Sequence, residues 1–304
     1  MAAIAYVTDE KMIEYHRVNG SNSIVFWRLS TKKFSDFNIG DLLFFLSKDT
    51  TTKTRKEKGL VGYGRFVGSS SMAISTMWRK HRTKTGYISK KELYGAIEKS
   101  KKTKKMPEKI NCLVLDRVVF FRNPIYLSDL GYKIPKNLES FTYLDKHEGQ
   151  QTLRILEEAQ KIGLDLWSSI QGAADETSFN QQLTQYKIAT IIEALGIEDE
   201  ITKKYYKKIE KKYSIDNYLW INNRHIGFIN FGKPNILYYL FQSNIRDIKE
   251  NYYKMVGQLV SLLLNVEQSI EEVVKIVVVS NRILSDSQIE TLNKIGISYL
   301  YEKE

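Results

Sequence analysis
Cysteine, histidine, proline and long apolar runs are all scarce in this chain. Cys112 is the single cysteine among 304 residues, so no intrachain disulfide can form and a reducing cytoplasm suits the chain. That thiol lies in an apolar run and reads as an inert core side chain. One cysteine and four scattered histidines (His16, His81, His147 and His225) exclude the ligand spacing of a zinc site. No stretch approaches the roughly 18–20 apolar residues of a membrane span. The longest candidate, 256–266, is interrupted by Gly257, Gln258 and Asn265. At the N-terminus Asp9 and Glu10 come too early for a secretory signal. No Gly-rich loop precedes Lys-Ser/Thr, Gly62-Tyr63-Gly64 lacks the rest of any nucleotide fingerprint, and no Gly-x-Ser-x-Gly elbow occurs.

Acid is scarce in one half only. Residues 1–150 hold 28 Lys and Arg against 15 Asp and Glu, a net charge of +13, whereas residues 151–304 hold 18 against 20, a net of −2. The length allows two cores of ordinary size. A basic, aromatic-rich half joined to a neutral one points to a nucleic-acid reader attached to a second domain.

The pattern predicts strands over 23–29, 42–46 and 60–67 and a helical stretch over 72–78. Ser89, three residues before Glu92, has the spacing of a capping box for a helix over 90–99. Apolar runs at 110–115 and 118–121 read as buried strands. Lys-rich, unpatterned loops fill 48–58 and 99–109. The domain boundary is expected at 147–151. Helices follow over 152–167, 179–195 and 201–213. Strands over 218–221, 226–231 and 236–241 come next, the last two joined by a turn at Gly232-Lys233-Pro234-Asn235. A strongly apolar helix at 252–266, a buried strand at 275–280, a helix at 286–295 and a strand at 297–301 complete the chain.

The ordered string Phe26-Trp27-Arg28, Gly40-Asp41, Phe44-Phe45, Gly62-Tyr63-Gly64, Trp78, Thr85-Gly86-Tyr87, Phe120-Phe121 and Tyr143 resembles the EVE-like, PUA-superfamily domain that precedes HNH nucleases in restriction-type proteins. The resemblance implies a small curled β-barrel with helices over 1–148, DNA or RNA binding, and reading of a modified or flipped base in an aromatic pocket. The HNH domain is absent, since residues 151–304 lack its His/Asn pattern. A flipped base needs aromatic faces and polar groups for its edge. Trp27, Tyr63, Trp78 and Tyr87 are candidate faces, and Ser21, Asn22 and Ser23 candidate edge readers. Trp27 and Trp78 suit a barrel core equally well, and the strand register decides whether Trp27 or its neighbours Phe26 and Arg28 face the cleft. Candidate phosphate contacts are Lys53, Arg55, Lys56, Lys58, Arg79, Lys80, Arg82 and Lys84.

The order of elements over 151–304 resembles the PD-(D/E)xK restriction-endonuclease-like α/β fold. Such nucleases hold Mg²⁺ with an Asp on one hairpin strand and an acid, followed two residues later by Lys, on the next. Metal-assisted hydrolysis needs those carboxylates, because a hard cation takes oxygen ligands. Here Gln242 and Asn244 stand at the acid and lysine positions, and Gly227, Asn230 or Asn235 where Asp is expected. No Asp or Glu occurs from Asn217 to Arg246. The resemblance therefore implies a degenerate fold that binds or dimerises and holds no metal. An active Mg²⁺-dependent endonuclease would need acids moved to Asp247, Glu250 or Glu193, with Glu176 in support and His225 as a base. At Asp247 and Glu250, carboxylates also suit a helix N-terminus. The expected partner is nucleic acid, DNA before RNA, with no membrane and a possible homodimer. An RNA-binding module is the remaining alternative.

Overall fold
In the computed structural model, residues 3–303 are described apart from 31, 33, 102–104, 136, 147–149, 198–200, 214–217, 222–225 and 244–247. The chain divides into two units, one running to Asn180 and one starting at Gln181. The first contains β1 (Ala3–Val7), α1 (Glu10–Val18), β2 (Ile24–Arg28), β3 (Leu42–Ser47) and β4 (Gly59–Met72). Next come α2 (Ile74–His81), a tight 3₁₀ turn (Arg82–Thr85), α3 (Lys90–Ser100), β5 (Ile110–Ile125), β6 (Phe141–Tyr143), α4 (Gln151–Ile162) and α5 (Leu166–Ile170).

This unit extends past the expected boundary at 147–151, because α4 and α5 are packed into it. Ile155, Leu156 and Ala159 of α4 are fully buried. Asp165 caps α5, accepts a hydrogen bond from Arg17 at 2.9 Å, and donates its own N–H to the carbonyl of Phe120 at 2.9 Å. The Trp167 indole donates to the carbonyl of Val18 at 3.0 Å.

The six strands run in the order β2-β5-β4-β3-β1-β6. Strand β3 is buried throughout, as its unbroken Leu42-Leu43-Phe44-Phe45-Leu46 run requires. The long strands β4 and β5 pair over most of their length, with register shifts near Gly62, Tyr63 and Phe66, and such bulges curl a sheet. Gly62 is required there, because a Cβ would stand 2.3 Å from the carbonyl oxygen of Val119. The expected barrel does not close. β2 and β6 are the ends of the sheet, and no backbone pairing joins them among the described residues. Side chains meet across the seam instead: Tyr6 of β1 packs edge-on against Phe26 of β2 with ring centroids 5.0 Å apart.

The division between units falls inside α6 (Glu176–Ala194). The second unit continues with α7 (Lys203–Tyr213), β7 (Tyr218–Trp220), β8 (Gly227–Asn230), β9 (Asn235–Phe241), α8 (Ile248–Ser269), β10 (Val274–Ser280), α9 (Asp286–Lys294) and β11 (Ser298–Tyr301). The sheet order is β11-β10-β9-β8-β7. β7, β8 and β9 form an antiparallel meander, and β10 and β11 run parallel to β9. The crossover helix α8 buries Tyr252, Met255, Leu259, Leu262 and Val266, an i, i+3/i+4 stripe that explains its apolar pattern. Among the described residues no helix is long and apolar enough to cross a membrane.

Candidate nucleic-acid interface
Between Glu57 and Glu92 the chain has no acidic residue, and Arg79, Lys80, Arg82, Lys84, Lys90 and Lys91 fall within this interval. The structure gathers these six on one helix–turn–helix segment. Arg79 and Lys80 lie in the last turn of α2, Arg82 and Lys84 on the 3₁₀ turn, and Lys90 and Lys91 at the start of α3. All six are exposed, and among the described residues none is in an ion pair. The α2 cations complement their helix dipole, whereas Lys90 and Lys91 oppose that of α3, so helix stability does not account for them. Arg82 has φ +49° and ψ −130°, a backbone conformation L-residues seldom adopt. The His81 pKa is lowered by burial and by Lys80 and Lys84.

The segment is fixed from beneath. Gly86, at φ +84°, lies so close to α1 that a Cβ would stand 2.3 Å from the Met12 side chain. Tyr87 is 2% exposed and Trp27 8% exposed, and the Tyr87 phenol lies near the Asp9 carboxylate and the Trp27 indole without a hydrogen bond to either. Burial, followed by Asp9, raises the Tyr87 pKa. Asp9 also caps α1, accepting from the Met12 N–H at 3.0 Å. Trp78 is half-buried against the same core.

Other expected site residues fall elsewhere. Tyr63 is fully buried with Phe44, Phe121 and Phe179 around it and does not join the Trp27–Tyr87 pair. The register explains this: Tyr63 pairs with Phe44 and Val119, Trp27 with Cys112. Asn22 is exposed, and its carbonyl accepts from the Val118 N–H at 3.2 Å. Ser23 is half-buried, and Ser21 shares a 3.0 Å hydrogen bond with His16. In the 48–58 loop, Lys53 and Lys56 are exposed. Arg55 pairs with Asp129 at 2.6 Å and Glu57 at 3.4 Å and lies 3.5 Å from the centre of the Tyr126 ring. Lys58 is buried. The loop reads as unpatterned in sequence because Ser and Thr hydroxyls, not apolar side chains, organise it. Thr50 accepts from Gly59 N–H at 2.6 Å and Thr52 from Arg55 N–H at 2.9 Å. Cys112 is fully buried, and burial pushes its pKa up to about 11.

In the second unit two of the residues compared with nuclease acids, Gln242 and Asn235, have hydrogen-bond partners. Gln242 accepts from the Thr202 N–H at 2.6 Å and donates to the Thr202 hydroxyl at 3.1 Å, holding the approach to α7. Asn235 accepts from Gly232 N–H at 3.2 Å within the hairpin turn, and Asn230 is half-buried at the end of β8. A cleft at Gln242 is lined by Tyr239, Asn251, Lys254, Met255 and Gln258 among others, with no acidic residue among the described ones. Glu250 and Glu193 are exposed on their helices; Asn244, Asp247 and His225 lie outside the described residues. No group of three His, Cys, Asp or Glu able to hold a metal occurs among the described residues.

Solved structures of one protein, ASCH from Zymomonas mobilis, are similar to about half of this chain at low identity. ASCH from Zymomonas mobilis is 14% identical with a TM-score of 0.34, over 50% of this chain and 94% of that one. Two substituted forms of that protein, one Tyr-to-Phe and one Ser-to-Ala, give TM-scores of 0.35 and 0.36 at 12% identity, each over 51% of this chain and over 96% and 95% of theirs. No family model matches the sequence, and no curated protein does.

Proposed function
We propose that this chain is a nucleic-acid-binding protein of the restriction or defence type, with DNA preferred to RNA. The N-terminal unit holds the phosphate backbone on the segment from Arg79 to Lys91. The observation that carries the reading is this acid-free run of six exposed cations outside any ion pair, mounted on a turn fixed by Gly86 and Tyr87. Polyanion binding uses such a surface: cations displace condensed counterions when they meet phosphates. Trp27 and Tyr87, buried beneath the same turn, are the aromatic pair that a base drawn from the stack would reach if the turn opened, with the Asp9 carboxylate as its polar companion. The C-terminal unit serves dimerisation or further DNA contact. Its meander, crossover helix and parallel strand support an endonuclease-like reading, and the described residues lining its cleft are amides, a lysine and apolar groups.

Fluorescence anisotropy tests this reading on one duplex made unmodified, with methylated or hydroxymethylated cytosine, and with N6-methyladenine, beside a structured RNA, over a range of salt. The expected result is DNA affinity that falls steeply with salt and about a tenfold preference for one modified duplex. Changing Arg79, Lys80, Arg82 and Lys84 together to Gln flattens the log–log slope by about 0.9 for each phosphate that is no longer neutralised. An unchanged slope in a folded variant removes this segment from the interface. Equal affinities across the duplexes remove base reading for that panel, and tighter binding of the RNA reassigns the ligand.

A further inference from the structure
Arg28 ends β2 with only 4% of its surface exposed. Its neighbours are aromatic. The Phe34 ring centre lies 4.0 Å from the guanidinium carbon, and the Tyr6 phenol lies close enough to act on its charge. Tyr143 stands close enough to act on its charge. Phe141 stacks on Tyr6 at 5.8 Å and meets Tyr143 edge-on at 5.6 Å. Among the described residues no carboxylate pairs with Arg28 and no atom accepts from its Nε or Nη2. Desolvation lowers its pKa.

A buried cation without a counter-charge is costly, and proteins ordinarily pair it. Nε and one Nη form one edge of the planar fork and match two oxygens of a single anion. That edge carries no partner here. The site also lies at the seam of the curled sheet, between its ends β2 and β6, where side chains alone make the contact. By strand alternation Arg28 and Trp27 point to opposite faces of β2, so this place is distinct from the Trp27–Tyr87 pair. An anion would satisfy the fork, and the surrounding rings offer faces to a planar group attached to it.

We propose that Arg28, with Tyr6, Phe34 and Tyr143, forms a binding site for the phosphate of a nucleotide, its base packed against the rings. The inference does not rest on duplex binding by the Arg79–Lys91 segment. Isothermal titration calorimetry on the full chain would compare adenosine and guanosine 5′-monophosphates, the parent nucleosides, inorganic phosphate, and a short single strand with and without a 5′-phosphate. A monophosphate is expected to bind at least about tenfold more tightly than its nucleoside. Arg28→Gln is expected to abolish that difference while keeping the wild-type circular dichroism. Preference for the free mononucleotide, or for the phosphorylated strand end, identifies the source of the phosphate. Equal binding of nucleoside and monophosphate by the wild-type chain overturns the proposal and needs no variant. A phosphate preference that survives in folded Arg28→Gln overturns it as well. Loss of duplex affinity in the four-cation variant and loss of phosphate preference in Arg28→Gln are separate readouts, so either reading can fail alone.

Discussion
Tyr63 and Trp27 show what one residue of strand register does to a functional assignment. Both are aromatic and both belong to the ordered string of the N-terminal half, yet Tyr63 is sealed under Phe121 and Phe179 while Trp27 meets Tyr87. The Tyr63 hydroxyl is buried without a hydrogen-bond partner, and burial raises its pKa. Removing an unsatisfied buried hydroxyl relieves a desolvation cost without opening a large cavity. Tyr63→Phe is therefore expected to leave stability unchanged or raise it by up to about 1 kcal/mol, read by urea denaturation, with duplex affinity unaltered. A folded Tyr63→Phe that loses affinity would return this hydroxyl to the site. The sequence could list the aromatic candidates but not sort them, because alternation along a strand gives two faces and does not say which is which. Arg28 was visible only as the third residue of Phe26-Trp27-Arg28. Its lack of an acidic partner is a fact of three dimensions, set by which chains the curled sheet brings to its seam.

At the scale of elements, local chemistry was the most legible. Ser89 caps α3 as its spacing predicts, accepting from the Glu92 N–H at 3.2 Å, although Glu92 reaches back to the N–H of Ile88 and not to that of Ser89. The cap orients the first turn of α3, where Lys90 and Lys91 stand. Ser89→Ala is expected to cost about 1 kcal/mol of stability, measured by chemical denaturation, and to weaken duplex binding only as far as that turn frays. Affinity that drops while stability holds would mean that the Ser89 hydroxyl itself touches the ligand. The hairpin of β8 and β9, α8 and β10 were equally readable, because a β-branched run or a long apolar stripe has one dominant period. β1, α1 and β6 were not. β1 reads Ala3-Ile4-Ala5-Tyr6-Val7 and β6 spans only Phe141–Tyr143, so each depends on a partner strand for its order. The ends of the first unit were hidden for the same reason. α4 is an amphipathic helix whose apolar face does not name the sheet it covers, and α5 is held by polar contacts, Asp165 to Arg17 and Trp167 to the Val18 carbonyl, across about 150 positions of sequence.

For the whole molecule, charge and fold are divided along the chain. The basic half supplies exposed cations, whereas the described residues that line the cleft of the second unit include no carboxylate. Hydrolysis of a phosphodiester by a hard cation needs charged oxygen ligands in a cluster, and among the described residues none assembles. Gln242 illustrates why one substitution would not create such a site. Its amide both accepts from and donates to Thr202, so Gln242→Glu forfeits the donor and places one carboxylate where at least two are needed. The full chain with duplex DNA and Mg²⁺ or Mn²⁺ is therefore expected to give no cut products on a gel, for wild type and Gln242→Glu alike. Binding measured in parallel should be insensitive to EDTA once ionic strength is matched, since the attraction comes from the protein's own cations. Cut products that disappear with EDTA and in Asp247→Ala or Glu250→Ala would show that the acids have moved to the start of α8, and would make the second unit the catalytic one.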